Sequence, residues 1–207
     1  MNKSLVVILS SLIFAVEMDC ANSQEKISLG SEKPLIVYLS RTQNTKVVAE
    51  LIQNKVGGEL VALEKENPYP EDYQKIVDQV DRENEEGYLP PLKTKIEDLE
   101  SYDTIFIGFP TWDMQMPPPM KSFLTENDMS GKTIIPFNTN AGFGVGQGFE
   151  QLRELSPESD ILEGFSIEGG YEKRGVFLAI QGEREEEVSD QLYTWLQKIG
   201  LLERLSK

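Results

Sequence analysis

Apolar residues are arranged along this chain in two alternating rhythms. Short, nearly unbroken runs are followed by longer stretches in which apolar positions recur every third or fourth residue. The run PLIVYLS (34–40) predicts a strand buried on both faces. Val47, Val48, Leu51, Ile52 and Val56 then share one face of a helix that Gly57 and Gly58 stop. ELVALE (59–64) predicts a second strand, and Tyr73, Ile76, Val77 and Val80 a second helix, with Pro70 near its start and Gly87 at its end. DTIFIGFP (103–110) is a third strand, and PPPMKSFL (117–124) opens a short helix. KTIIPFNTN (132–140) is a fourth strand, followed by the glycine-rich AGFGVGQG and a helix to about Leu155. DILEGFSI (160–167) is a fifth strand, and Val188, Leu192, Trp195, Leu196 and Ile199 line a last helix. VFLAI (176–180) is expected as an extra strand or a split continuation of the fifth, which leaves the role of 168–182 open.

Such alternation predicts an α/β fold, a doubly wound parallel sheet with helices on both faces. In these sheets ligands bind outside the carboxyl ends of the strands, where the strand order reverses. Three loops here fall at such ends, beginning at Ser40, Pro110 and Thr139.

The first, Ser40-Arg41-Thr42-Gln43-Asn44-Thr45, joins a strand to a helix N-terminus. Unsatisfied N–H groups and the helix dipole favour an anion there. Without GxxxxGK[ST], its hydroxyls and amides suit one compact phosphate monoester rather than a di- or triphosphate. Asn44 could instead merely cap the helix. Trp112, in the Pro110–Asp113 loop, is placed to cover a flat aromatic ligand, or else is simply packed or faces a partner. In the third loop the glycines at 142, 144, 146 and 148 do not match GxGxxG. They suit close approach of the backbone to a ligand, or simple flexibility. Together the loops offer a phosphate cradle, an aromatic cover and close backbone contacts, which flavin mononucleotide (FMN) would fill.

Composition narrows the chemistry. The chain has 207 residues, 39% hydrophobic and 27% charged, within the range of one globular domain. It has no histidine and one cysteine. That rules out a Ser-His-Asp triad, a His-ligated metal, a disulfide within the chain, a CxxC pair and an all-thiolate iron–sulfur cluster. Redox work would need an organic cofactor. A net charge of −15 argues against nucleic acid and anionic membranes; it suits a basic partner, or simply solubility. Lys3, the apolar run 5–16 and the polar EMDCANSQ predict a signal peptide over 1–22, a linker over 23–33 and a domain over 34–203. The protein is therefore expected to be exported, to the periplasm or cell envelope. Cys20 could carry a lipid anchor, the one membrane attachment expected, although Glu17, Met18 and Asp19 are not the small apolar residues a lipobox takes.

At these residues the chain resembles the flavodoxin family, in particular bacterial flavodoxin-like proteins often grouped with NAD(P)H-dependent oxidoreductases. A phosphate loop of the T/S-x-T-G-x-T kind is matched at Ser40, Thr42, Asn44 and Thr45. GFPTW resembles the family's first flavin loop, and GKTIIPFNTNAGFG its fourth strand and second flavin loop. The resemblance covers roughly 34–200 and implies a five-stranded sheet in the order 2-1-3-4-5. It implies that Ser40, Thr42, Asn44 and Thr45 hold the FMN phosphate, and that Thr111 and Trp112, preceded by Pro110, line one side of the ring. Thr139, Asn140, Ala141 and Gly142 would line the other edge, with Gly144 close by. Gln43 stands where the family has glycine, so a left-handed backbone there costs more. Asp113 would put a carboxylate near the flavin. Arg41 could partly neutralise the phosphate, although a long exposed side chain is expected to point to solvent. The function implied is an electron carrier with a basic redox partner protein. Its rivals are an NAD(P)H-dependent quinone or flavin reductase, and a non-redox module that has lost flavin. A response-regulator role is excluded, because the first strand ends in Ser-Arg-Thr without an acceptor carboxylate.

Overall fold

The computed structural model describes residues 33–202. The expected signal peptide, Cys20 and all of the linker before Lys33 lie outside the described residues. Among the described residues, five α-helices and six strands follow in the order β1 Leu35–Tyr38, α1 Asn44–Val56, β2 Glu59–Ala62, α2 Tyr73–Glu86, β3 Thr104–Pro110, α3 Pro118–Glu126, β4 Thr133–Asn140, α4 Gly148–Leu155, β5 Asp160–Ile161, β6 Phe165–Glu168 and α5 Glu183–Lys198. The sheet is parallel throughout, in the order β2-β1-β3-β4-β5, with β6 also on β4. This is the 2-1-3-4-5 order the resemblance implies.

The central strands β1, β3 and β4 are apolar on both faces because both faces are covered. On one side Leu35, Val37, Ile105 and Ile107 pack with Met120 and Phe123 of α3 and Leu152 of α4. On the other, Ile36, Phe106 and Phe137 pack with Val48 and Ile52 of α1 and Leu192 and Trp195 of α5. Asp72 caps α2 by accepting from Lys75 N at 2.9 Å, and Gly87 closes it with a left-handed φ of 62°.

The fifth strand is split within DILEGFSI. β5 pairs Ile134 with Ile161 and β6 pairs Phe137 with Phe165, so three residues stand opposite two. Pro136 accounts for the break. Leu162 N donates to Ile134 O, so alternate residues of β4, Pro136 included, face this edge, and proline brings no N–H to the ladder. The expected strand at VFLAI does not form. Its backbone bonds instead to a side chain of the first loop, described next.

Candidate functional site

The three loops converge on one cavity of about 340 Å³ at the carboxyl ends of β1, β3 and β4. Thr42, Asn44, Thr45, Pro110, Thr111, Trp112, Asp113, Thr139, Asn140, Ala141 and Gly144 all line it, and so does Arg41. Ser40, Gln43 and Gly142, expected at the site, do not line it. Tyr73, Met114, Phe143 and the 170–173 segment complete the lining, and the sequence reading missed them. The segment could have been found by the same strand-end rule, because it follows β6, the carboxyl half of the fifth strand.

The head of α1 is built to present N–H groups. Gln43 adopts φ 68°, the left-handed conformation that glycine would take more easily. That turn lets Val47 N bond to Gln43 O at 2.9 Å and Lys46 N to the Ser40 hydroxyl at 3.3 Å. Among the described residues, none accepts from the N–H groups of Thr42, Gln43, Asn44 or Thr45. An anion is the partner such a cluster favours.

Asn44 does not cap α1. It is buried, and its amide donates to Phe177 O at 2.6 Å and Thr42 Oγ1 at 2.9 Å. Its carbonyl oxygen accepts from Ala179 N and Ile180 N at 2.9 and 3.1 Å. These bonds satisfy the 177–180 backbone, which is why that run makes no strand. Arg41 does not point to solvent either. Its Nε and Nη2 donate to Glu172 Oε2 and Oε1 at 2.8 and 2.7 Å, and the same guanidinium reaches Pro70 O and Glu71 O. With its charge paired in this fork, Arg41 ties the first loop to the 168–182 segment.

The second loop turns back sharply after β3. Trp112 and Gln115 exchange backbone bonds at 3.2 and 2.8 Å, while Asp113 and Met114 between them take φ 49° and 54°. Both central residues are left-handed, as in a type I′ turn, a conformation that suits Asp113 but that Met114 adopts where glycine is usual. Gln147 N holds the turn by donating to Met114 O at 2.9 Å. Gly146 must lack a side chain here, because a Cβ would lie 2.1 Å from that carbonyl. Trp112 packs edge-on against Tyr69, with centroids 5.5 Å apart. Behind Tyr69 lies a buried cluster: Glu83 accepts from the Tyr69 hydroxyl, and Lys65 Nζ sits 3.4 Å from Glu83 and 3.2 Å above the Tyr69 ring.

The third loop is shaped by its own side chains. Asn140 Oδ1 accepts from Gly142 N and Gly144 N at 2.9 and 3.0 Å. Thr111 Oγ1 donates to Gly144 O at 2.9 Å and so fastens the second loop to the third. Thr45 and Thr139 share a hydroxyl hydrogen bond of 2.8 Å beneath the cavity floor. Burial, then the negative field of Tyr171 and Glu172, holds the Tyr73 phenol above its ordinary value.

A family model described as Flavodoxin matches residues 33–177. A flavodoxin from Synechocystis sp. is 24% identical over 183 residues, spanning 79% of this chain and 94% of its own. A solved structure from Bacteroides eggerthii, assigned as a flavoprotein, is 26% identical with a TM-score of 0.66, covering 82% of this chain and 99% of that one. A flavoprotein from Lactobacillus acidophilus, solved in complex with FMN, is 25% identical with a TM-score of 0.58, covering 66% of this chain and 93% of that one.

Proposed function

Because the chain belongs to the flavodoxin family, we propose that it binds FMN in the cavity between the three loops and serves as an electron carrier of the cell envelope. The observation that carries this reading is the coincidence of two features on one cavity wall. Four N–H groups at the head of α1, three of them on residues that line the cavity, have no acceptor among the described residues, and Trp112 stands at the flank. The FMN complex of the similar Lactobacillus flavoprotein supports the choice of ligand. Bound there, FMN would supply one- and two-electron transfer.

The chain's own part is binding and electrostatics. The N–H groups of Thr42 to Thr45, with the Thr42 hydroxyl beside them, receive the phosphate oxygens, and the α1 dipole favours their charge. Arg41 is not needed as a counter-charge, since Glu172 already neutralises it. Trp112 offers its ring as a cover, and the Gly142–Gly144 turn brings backbone close to the ligand. Asp113 lines the same cavity and disfavours added negative charge, so it holds down the potential of whatever is reduced there. With the chain at −15, a basic redox partner would be attracted. Location in the envelope rests on the order of charge, apolar run and polar tail in residues 1–22.

The test is a visible absorption spectrum of the purified protein after addition of FMN and removal of the excess. Stoichiometric flavin bands are expected. A colourless, folded protein would overturn the reading. Steady oxidation of NADPH with a quinone acceptor would replace the carrier with a reductase.

A further inference from the structure

Beside the cofactor cavity lies a second one of about 330 Å³, between α2 and the Trp112 turn. Its walls are of two kinds. Ile76 and Val80 of α2, with the rings of Tyr73 and Trp112, make it largely apolar and aromatic, while Asp81 and Asp113 bring carboxylates to it. Arg41 and Glu172 also reach it, but each neutralises the other in their two-pronged pair. Asp81 and Asp113 have no such cancellation. Among the described residues no ammonium or guanidinium lies within ion-pair distance of either. The nearest compensation is indirect. Asn84 and Gln115 donate amide hydrogens to Asp113 Oδ2 at 3.3 and 3.2 Å, and Lys121 Nζ donates to the oxygens of those same two amides. Asp81 is half-buried without a hydrogen-bond partner among the described residues. Burial, then the field of Asp113, holds its carboxyl above the ordinary range.

The geometry points to a binding site for a small organic cation with an apolar body, such as an alkyl- or aryl-ammonium, in this second cavity. Aromatic faces attract such cations through the ring quadrupole, and the effect grows as water is excluded. The two carboxylates supply charge that nothing in the wall cancels. An anion would meet the same field as repulsion, and a neutral apolar molecule would leave the carboxylates unrelieved. The volume is at the small end of ligand pockets, which fits a molecule of about one ring. The cavity shares Arg41, Tyr73, Thr111, Trp112, Asp113 and Glu172 with the cofactor cavity and adds Ile76, Val77, Val80 and Asp81, so its ligand would sit on the α2 side of the Trp112 turn, next to the cofactor. The binding itself does not depend on the FMN reading; a redox role for the bound cation would.

The chain's two tryptophans make the test direct. Trp112 is in the cavity wall, whereas the Trp195 indole is held inside by Glu163 O at 2.9 Å and serves as the reference for folding. The full chain is titrated with benzyltrimethylammonium and, separately, with benzoate, and the two indole N–H resonances are followed by NMR. The cation should shift Trp112 saturably and leave Trp195 in place, and benzoate should move neither. Asp81→Asn with Asp113→Asn should weaken the cation about fivefold or more while Trp195 stays unshifted. Equal response to both probes, no response, or an unchanged affinity in the double variant would overturn the site. The titration is repeated with FMN present. Loss of the cation in proportion to bound FMN would make the cavity part of the cofactor site and overturn the inference. Failure of FMN to bind at all would touch only the cofactor reading, because the FMN-free titration stands alone.

Discussion

At the scale of single residues, Asn44 matters more to the fold than its place in a phosphate loop suggests. Its amide bonds to the carbonyl of Phe177 and the N–H groups of Ala179 and Ile180, 133 to 136 positions later in the chain. Asn44→Ala removes the donor and the acceptor together and leaves those groups unpaired. A loss of about 2–4 kcal/mol in stability is expected, read from urea unfolding. A loss under about 0.5 kcal/mol would mean that water replaces the amide and that the contacts carry little. Asp113 works on the ligand rather than the fold. With FMN bound, Asp113→Asn should raise the potential of the couple that forms the negatively charged reduced flavin, by some tens of millivolts (order of magnitude). Redox titration of both proteins decides it: an equal or lower potential in the variant would remove the carboxylate from the account. Gln43 is a third kind of case. Its departure from glycine was visible in the sequence, and the left-handed φ of 68° shows that the backbone keeps the turn regardless.

At the scale of elements, apolar runs located the five strand positions and apolar spacing located α1, α2 and α5, while α3 and α4 were read from the proline-rich and glycine-rich loops that precede them. That information is local: a strand covered on both faces must be apolar throughout, and a helix with one buried face must repeat near 3.6. What escaped was non-local. VFLAI has a strand's composition, but an asparagine elsewhere claims its backbone. The break between β5 and β6 is set by Pro136 on the neighbouring strand. Arg41 looked like a solvent-facing side chain because Glu172, its partner, is 131 positions away. The cofactor loops were legible because strand ends announce themselves, whereas Tyr73 and Tyr171 reach the cavity only through packing. The Arg41–Glu172 pair makes the 168–182 segment a strap across the first loop. A double-mutant cycle with Arg41→Met and Glu172→Gln should give a coupling of about 1 kcal/mol or more, above the usual surface pair because both side chains are largely buried. Hydrogen exchange around 171–176 should quicken in Glu172→Gln. Additive losses with unchanged exchange would show that Asn44 alone holds the strap.

At the scale of the whole molecule, burial of phenols and of a few lysines sets the alkaline limit of the fold. Burial comes first among the causes that raise the pKa values of Tyr38, Tyr69 and Tyr73, and Tyr69, buried and also bonded to the adjoining Glu83 carboxylate, is raised furthest. A phenol whose folded value lies above its unfolded value near 10 keeps its proton longer in the native state. The native state then binds more protons than the unfolded one. The stability this gives is fully present below about pH 10 and is lost as pH climbs from there through the folded values. Lys65 and Lys121 act in the opposite sense, because burial lowers both. Their native forms shed protons first, so they add stability as pH rises toward the unfolded lysine value of about 10.4. The sum predicts a nearly level or slightly rising stability up to about pH 10 and a steep fall beyond it. Urea unfolding at closely spaced pH values checks the shape, and Tyr69→Phe should flatten the fall because the furthest-shifted phenol is gone. A variant that falls as steeply as the parent would place the alkaline weakness elsewhere, in the mutual repulsion of a chain at −15 whose lysines have lost their charge.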